Sequence, residues 1–423
     1  MKRLAAQGPT ISSSLHPIIR FLIRPARPGR IRIMQIANAR IITDTAIIDP
    51  GRVVIENGRI QAVEPQKTRT RLRKDDFDAR GGTLLPGFID LHNHGALGHD
   101  SMELLPDHWR ATCAFLAKHG VTGFLPTLSA ADGPGIDAYL RLAKSIMDES
   151  PRGARILGVH MEGPYLNPQY RGMHPMIHCR PPSRKEYLPW LKSGVVRRMT
   201  ASMELDGTKR LLSDCINNGV LLSNGHSACS ADDMDCYASW GLRHVTHLYN
   251  AMSRAEKQGP VRVCGCLEGA LTNPGVSVEI IGDGHHVPEH LFKIAMRCKG
   301  CSGITIASDA TLFTGAAQEG VPMKYGGSDQ EVVVRNGRAT SPDGSALIGS
   351  IAPLDEMFPR IVGWLDGDWQ AAAKIFSTNA ARLIGLDRRK GVIKEGYDAD
   401  LVLLDGQMKV GATWVNGVRV LDE

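Results

Sequence analysis

The stretch LLPGFIDLHNHG, residues 84–95, decides the fold. It is mostly apolar and then places two histidines one residue apart, where a buried strand would reach the surface. Because successive side chains of a strand alternate between faces, we expect Asp90, His92 and His94 to face the same way. Two imidazoles on one face can hold a metal ion, but an isolated His-x-His is equally compatible with a hydrogen-bonded pair at a strand end. The rest of the chain decides between these interpretations.

Similar apolar runs recur along the chain with helix-like segments between them. There are eight strand-like runs, at 84–91, 122–128, 155–162, 195–203, 219–226, 243–250, 276–283 and 303–309. The segment DHWRATCAFLAKHG, residues 107–120, is one intervening helix and has the terminal glycine typical of a helix end. Eight alternations of this kind predict an α/β fold, a parallel (β/α)8 barrel of the TIM type, over residues 83–389.

The two ends of the chain have a different pattern, with short β-branched runs separated by turn signals. Residues 37–65 contain DPG and ENGR, and residues 397–423 contain VNGV, all typical of hairpins. Isolated hairpins are only marginally stable. We therefore expect residues 34–82 and 390–423 to combine into one small β-sandwich domain.

The basic charge of the chain is concentrated at its N-terminal end. Residues 1–33 contain no acidic residue and seven basic ones, namely Lys2, Arg3, Arg20, Arg24, Arg27, Arg30 and Arg32, which account for the formal net charge of +6. Such a leader resembles a transit peptide. The alternating pattern that begins at Met34 instead favours a translation start there, so residues 1–33 are expected not to be part of the fold. The basic excess argues neither for nucleic acid nor for a membrane surface.

Composition is that of a soluble enzyme, with 43% hydrophobic and 22% charged residues in 423. No apolar run approaches the ~18 to 20 residues that span a bilayer. The nine scattered cysteines indicate a reducing compartment, and we expect a cytoplasmic protein. The pairs Cys264/Cys266 and Cys298/Cys301 would lie at opposite ends of the barrel, so they do not predict a shared zinc site.

The carboxyl ends of the predicted strands carry the residues suited to chemistry. In a barrel of this type catalytic groups gather at that end. The metal-ligand and proton-transfer types found there are His92, His94, Glu162, His226, His247 and Asp309. Their convergence on one mouth predicts a metal-dependent site and makes the His-x-His pair part of it.

Six motifs carry a resemblance to a known family. PGFIDLHNHG, HMEGPYLNP, GHS, THLYNAM, GDGHH and SDAT, in this order, resemble the N-acetylglucosamine-6-phosphate deacetylase family of the amidohydrolase superfamily, over residues 34–423. The resemblance implies that Glu162, His226 and His247 bind the principal divalent metal. It matches His92 and His94 to a second metal position, so one or two ions are expected. Zinc is the first expectation, and iron or manganese also fit these ligands.

The resemblance also implies a reaction and a substrate pocket. Asp309 is expected to be the general base that helps hydrolyse the acetamide of N-acetyl-D-glucosamine 6-phosphate to glucosamine 6-phosphate and acetate, although SDAT also resembles a helix cap. A homodimer is implied as well. His285 is expected to have no role. Residues implied to contact this small-molecule amino sugar are Met173, His174, Asn250, Ala251, His286, Leu347, Ile348 and Gly349.

One segment departs from the family. Where the family carries an arginine that grips the sugar phosphate from a neighbouring subunit, residues 253–265 read SRAEKQGPVRVCG, with Gln258 in the arginine's place. Glutamine supplies no charged fork. Either Arg254, Lys257 or Arg262 binds the phosphate, or the substrate carries none. A phosphorylated sugar is favoured, because the other implied contacts remain.

Other functions are weighed against this one. The substrate could be another N-acyl amino sugar, such as N-acetylgalactosamine 6-phosphate or an unphosphorylated sugar. A different amidohydrolase, such as a cyclic-amide hydrolase or an adenine deaminase, would share the barrel but lack HMEGPYLNP. A non-catalytic relative would have lost metal ligands or Asp309, and this chain retains them.

Overall fold

The computed structural model describes residues 33–67, 72–325 and 331–420. The predicted leader lies outside these residues, apart from Ile33, which begins the first strand and pairs with Glu56. Within the described ranges, no helix combines the length and apolar character needed to cross a membrane.

Strands from both ends of the chain form one sheet. Leu401–Leu404 pairs antiparallel with Thr83–Pro86, which in turn pairs parallel with Ile33–Ile42. The two chain ends are therefore joined through the strand that leads into the barrel. The strands of this sheet are Ile33–Ile42, Ile47–Glu56, Arg59–Pro65, Phe77–Asp78, Thr83–Pro86, Leu401–Leu404, Val410–Val415 and Val418–Val420.

The sheet curls around a hydrophobic core of its own. Trp414 is fully buried there, with the ring of Phe77 edge-on at 5.0 Å between centroids. The curl brings the third strand back to the C-terminal segment, where the Ile60 N–H donates to the Tyr397 carbonyl at 2.9 Å. A core shared by both chain ends explains why neither hairpin region has to be stable alone.

Eight parallel strands form the barrel, each hydrogen-bonded to the next along the chain. The ring closes between the first and eighth strands, where Asp309 N–H donates to the His92 carbonyl at 3.0 Å and His94 N–H to the Ala310 carbonyl at 2.7 Å. The predicted barrel and its additional β-sheet are confirmed. The barrel strands, numbered one to eight below, are Phe88–Asn93, Val121–Leu128, Arg155–Ile156 continued by Val159–Glu162, Val196–Ala201, Leu221–Asn224, His244–Val245, Ser277–Ile281 and Ile304–Ala307.

One helix follows each barrel strand and packs on the outside. Side-chain caps start several of them; for example, Asp132 accepts a hydrogen bond from Gly135 N–H, and Ser230 forms a capping box with Asp233. In order, the helices are Pro106–Lys118, Gly133–Glu149, Arg184–Lys192, Thr208–Asn217, Ala231–Trp240, Cys266–Thr272, Glu289–Lys299 and Leu354–Trp364. A last helical stretch consists of Trp369–Ala373, the π-turn Lys374–Thr378 and Asn379–Leu383.

The prediction of a single strand over 84–91 is wrong. Thr83–Pro86 belongs to the small sheet, and Phe88–Asn93 is the first barrel strand. Gly87 separates them, and any β-carbon there would overlap the side chain of Thr122. Both segments are apolar because each is buried in a core, so the sequence pattern does not distinguish them from one continuous strand. We therefore propose the boundary between the two domains at Gly87 rather than at residue 83.

Loops on the carboxyl side of the barrel carry small sheets and turns. Gly95–Ala96 pairs with His99–Asp100 after strand one, and Glu256–Gln258 pairs with Val261–Val263 after strand six. Pro322–Lys324, Glu331–Arg335 and Arg338–Thr340 follow strand eight. Single helical turns occur at Ser101–Glu103 and Met176–His178. These insertions surround the mouth where the predicted site lies.

Candidate metal centre and active site

The predicted metal ligands converge at the carboxyl end of the barrel. Glu162 is the last residue of strand three, whereas His226, His247 and Asp309 each lie two residues beyond a strand end. The backbone of these last three is left-handed, with φ of 53°, 28° and 47°. Such backbone is uncommon for residues other than glycine and is concentrated at functional sites. Here it turns each side chain inward as its strand ends.

The carboxylate of Glu162 lies between two groups of imidazoles. Its Oε1 is 3.1 Å from Nε2 of His226 and 3.1 Å from Nε2 of His247. Its Oε2 is 3.0 Å from Nε2 of His94 and 3.3 Å from Nε2 of His92. One carboxylate thus reaches both predicted metal positions, and it is almost fully buried.

Hydrogen bonding at the first position fits a cation. Nδ1 of His226 lies 2.7 Å from the carbonyl of Tyr170, so it donates, and a neutral ring then has its lone pair on Nε2. That lone pair faces another acceptor, Glu162 Oε1, and Nε2 of His247 lies 3.1 Å away. Nδ1 of His247 is buried and has no hydrogen-bond partner. Acceptors that face one another in this way are suited to hold a divalent ion.

The second position has the same character. Nδ1 of His92 lies 2.9 Å from Glu279 Oε1, which directs its Nε2 towards the site. That Nε2 is 3.1 Å from Nε2 of His94 and 3.3 Å from Oδ1 of Asp309. His92, His94 and Glu162 form a compact group of potential ligands. The residues therefore fit two ions that share Glu162.

Glu279, on strand seven, contacts two of the predicted ligands, and sequence reasoning missed it. It is fully buried, accepts a hydrogen bond from the backbone N–H of His247 at 3.2 Å, and forms an ion pair with the buried Arg198 of strand four. Burial raises the pKa of Glu279, but the charges of Arg198 and His92 outweigh burial and hold it well below its usual value. An acidic residue inside the apolar run VSVEIIGD was the available signal.

Asp309 and Asp90 have different environments. Asp309 lines the cavity, whereas Asp90 is buried behind it and accepts hydrogen bonds from the hydroxyl of Ser308 at 2.5 Å and from its N–H at 3.1 Å. Burial raises the pKa of Asp90 despite these hydrogen bonds. Asp90 is thus not a member of the ligand group, and it supports the residue next to Asp309.

A cavity of about 500 Å³ opens onto these groups. Among residues predicted from the family resemblance, it is lined by Met173, His174, Asn250, Ala251, His286, Leu347 and Gly349. Ile348 does not line it, since its side chain is buried in a cluster with Leu312 and Phe313. Lining residues that sequence reasoning missed are Ser129, Gln169, Tyr170, Gly172, Ile281, Thr311 and Tyr325. No lysine or arginine of the described chain lines the cavity.

Two further histidines at the cavity are held in defined states. Nδ1 of His174 accepts from Ala130 N–H at 3.2 Å, so its Nε2 is the protonated nitrogen and lies 3.3 Å from Glu162. Burial lowers the pKa of His174 to about 4. Burial also lowers the pKa of His286, but its hydrogen bond to Asp283, 2.6 Å long, outweighs burial and raises it above the ordinary value. His174 lies close enough to Glu162 and His226 to form a ligand group with them, but its protonated Nε2 donates to Glu162 and is not available to an ion.

Comparison with known proteins gives a consistent result. Residues 83–420 match the Amidohydrolase family. The N-acetylglucosamine-6-phosphate deacetylase of Bacillus subtilis (strain 168) is 31% identical over 389 residues, which cover 91% of this chain and 96% of that protein. The crystal structure of N-acetylglucosamine-6-phosphate deacetylase from Pasteurella multocida superposes with a TM-score of 0.83 and 26% identity, over 92% of this chain and 99% of that one.

A second solved structure includes a ligand. The N-acetyl-D-glucosamine-6-phosphate deacetylase of Mycobacterium smegmatis, solved as a variant in complex with N-acetyl-D-glucosamine-6-phosphate, superposes with a TM-score of 0.81 and 25% identity, over 93% of this chain and 100% of that one. The chain thus matches these enzymes over nearly their full lengths. It belongs to the amidohydrolase family and, within it, to the N-acetylglucosamine-6-phosphate deacetylases.

Proposed function

We propose that this chain hydrolyses the acetamide of N-acetyl-D-glucosamine 6-phosphate, giving glucosamine 6-phosphate and acetate. The observation that carries the proposal is the shared carboxylate of Glu162 between two groups of imidazoles, with Asp309 beside them on the wall of the cavity. The relatives that this chain matches over nearly their full lengths bear the same activity in their names. Amino sugar catabolism is the corresponding cellular role.

Glu162, His226 and His247 would hold the principal ion, for which we propose zinc, and His92 with His94 would hold a second. Imidazole and carboxylate ligands with a position left open are typical of catalytic zinc, and iron or manganese also suits them. When bound, such an ion lowers the pKa of water from 15.7 to about 7 and polarises an amide carbonyl.

The protein's own groups move the proton and orient the amide. Asp309 takes the proton of the water that attacks the carbonyl carbon, and it delivers this proton to the sugar nitrogen as the carbon–nitrogen bond breaks. His286, fixed through Nδ1 by Asp283, directs its other nitrogen to the substrate. Acetate and the free amine are the products, so atoms and protons balance.

Recognition of the sugar phosphate is proposed to need a second subunit. No lysine or arginine of the described chain lines the cavity, and such a side chain is the usual partner of a phosphate. The hairpin Glu256–Gln258 and Val261–Val263 is exposed and carries Lys257 and Arg262, and Val261 on it is 61% exposed. We propose a homodimer in which this hairpin completes the partner's pocket.

All nine cysteines are free thiols, which supports the proposal of a cytoplasmic protein.

The test is a substrate and metal screen on the purified protein. We expect faster amide hydrolysis, followed as the carboxylate formed, with N-acetylglucosamine 6-phosphate than with N-acetylgalactosamine 6-phosphate, N-acetylglucosamine or cyclic amides. His247→Ala should lose the principal ion and activity, whereas a His92→Ala, His94→Ala double variant should lose only the second ion and less activity. Preference for another substrate in the screen would overturn the proposed specificity, and activity without any metal would overturn the chemistry.

A further inference from the structure

A second cluster of metal-ligating side chains lies outside the cavity, on the loop after barrel strand one. His99 belongs to the short strand His99–Asp100, Glu103 to the helical turn Ser101–Glu103, and His108 to the first turn of Pro106–Lys118. None of the three lines the active-site cavity. The family resemblance gives these residues no role.

The three side chains direct their ligand atoms towards one point. Oε2 of Glu103 is 2.6 Å from Nδ1 of His108 and 3.8 Å from Nδ1 of His99. The ligand atoms of all three lie within 4.8 Å of one another. About a third of each side chain is exposed, which gives an ion access from solvent and gives the rings room to turn.

The two imidazole rings are stacked, with centroids 3.5 Å apart and planes 19° apart. Two positive rings at this distance repel each other. Burial, and then the charge of His108, lowers the pKa of His99, so a lone pair is available there at neutral pH. The hydrogen bond between His108 and Glu103 involves only one imidazole. It therefore does not explain why His99 also faces the same carboxylate oxygen.

We propose that His99, Glu103 and His108 form an accessory site for a divalent transition-metal ion, separate from the centre at the barrel mouth. Two imidazoles and one carboxylate suit Zn²⁺, Ni²⁺ or Cu²⁺, whereas Mg²⁺ and Ca²⁺ prefer oxygen ligands. Binding requires the two ring planes to open beyond the 19° observed, so that both nitrogens face one ion.

Such an ion would tie the loop after strand one to the helix that follows. His99 lies within this loop and His108 in the first turn of the helix, and Ser101 between them donates its N–H to the carbonyl of His94 at 2.8 Å. The indole N–H of Trp109 in turn donates to the Ser101 carbonyl at 3.1 Å. The accessory ion would therefore stabilise the loop directly behind a predicted ligand of the catalytic centre.

The test is a Zn²⁺ titration of the full chain, already loaded at the barrel mouth, followed by calorimetry. Wild type should bind one equivalent of Zn²⁺ more than a His99→Asn, His108→Asn double variant, or should bind that equivalent at least about tenfold more tightly. Loss of an outer-shell partner already weakens metal binding about 10- to 100-fold, and loss of a ligand should weaken it at least as much. His290→Asn, which changes an exposed histidine outside the cluster, is the matched control and should behave as wild type. Mg²⁺ should produce no such equivalent.

A crystal of the Zn²⁺-soaked protein, measured at the zinc absorption edge, provides the direct readout. An anomalous peak between the three side chains is expected in wild type and absent from the double variant. Deacetylase activity and thermal melting without added Zn²⁺ show whether the double variant is folded. Equal stoichiometry and affinity in wild type and a folded double variant, or no peak at the cluster, would overturn the proposal and leave Glu103 as a hydrogen-bond partner of His108 only.

Discussion

At the level of single residues, the carboxylates of the site differ in their access to the cavity. The side chain of Glu162 is 4% exposed and is surrounded by imidazoles, whereas that of Asp309 is 14% exposed and lies 3.3 Å from His92 at the cavity wall. A group that exchanges protons with water and substrate needs this access. The difference in exposure supports Glu162 as a ligand and Asp309 as the base.

Replacing Asp309 by Asn tests this division of roles. The amide keeps the size and the hydrogen bonds but cannot accept the proton, so kcat should fall by at least about 10² to 10⁴. Metal content, measured by mass spectrometry of the purified variant, should change little. Turnover close to wild type would contradict the assignment of the base.

Glu279 does not line the cavity, but its Oε1 lies 2.9 Å from Nδ1 of His92, and we propose that this contact orients His92. Glu279→Gln should weaken binding of the second ion about 10- to 100-fold, because the neutral amide no longer fixes the tautomer of His92. The change also removes the ionic partner of the buried Arg198, so a loss of stability on the order of 3 to 5 kcal/mol is expected. Competition with a chelator measures the first effect, and denaturation the second.

The matched control for this variant is Glu395→Gln, which makes the same chemical change at an exposed position. It should alter neither metal affinity nor stability. If Glu279→Gln binds two ions as tightly as wild type while remaining folded, Glu279 has no positioning role.

At the level of elements, Gly87 allows one continuous segment to serve two cores. Its N–H donates to the Asp400 carbonyl at 2.9 Å on the small-sheet side, while its α-carbon packs against Thr122 of barrel strand two. Gly87→Ala should destabilise the protein by about 1–3 kcal/mol, since the added methyl group has no space. Gly406→Ala, where a β-carbon meets no atom within 4 Å, is the control. Equal melting temperatures for the two variants would contradict this account of the junction.

The sequence predicts the barrel because its strands are buried on both faces and therefore read as apolar runs. It predicts the convergence of His226 and His247 because the carboxyl ends of parallel strands meet at one mouth. Side-chain direction within a loop has no comparable local signal. The burial of Ile348, the approach of Tyr325 to the cavity and the pairing of Glu279 with Arg198 all depend on contacts between segments far apart in the chain.

At the level of the whole molecule, the proposed dimer would explain together the exposed hairpin and a cavity that no lysine or arginine of the described residues lines. Lys257 and Arg262 are exposed and face each other across the hairpin as a register pair. In a twofold assembly, each hairpin would meet the other chain's pocket. A phosphate bound there would gain at least one charge-assisted contact, so kcat/KM for N-acetylglucosamine 6-phosphate should exceed that for N-acetylglucosamine by at least about tenfold, or ~1.4 kcal/mol.

A Lys257→Ala, Arg262→Ala variant should lose this preference while keeping its activity on the unphosphorylated sugar, whereas Lys185→Ala, on an exposed helix position, should keep both. Mixing this hairpin variant with the Asp309→Asn variant then tests whether the hairpin of one chain acts in the pocket of the other. A mixed dimer contains one pocket with Asp309 intact and with cations from its partner, so refolding equal amounts together should restore about a quarter of the wild-type sites. Light scattering should report a dimer throughout. A monomer, or a mixture no more active than its parts, would show that the hairpin does not act across subunits.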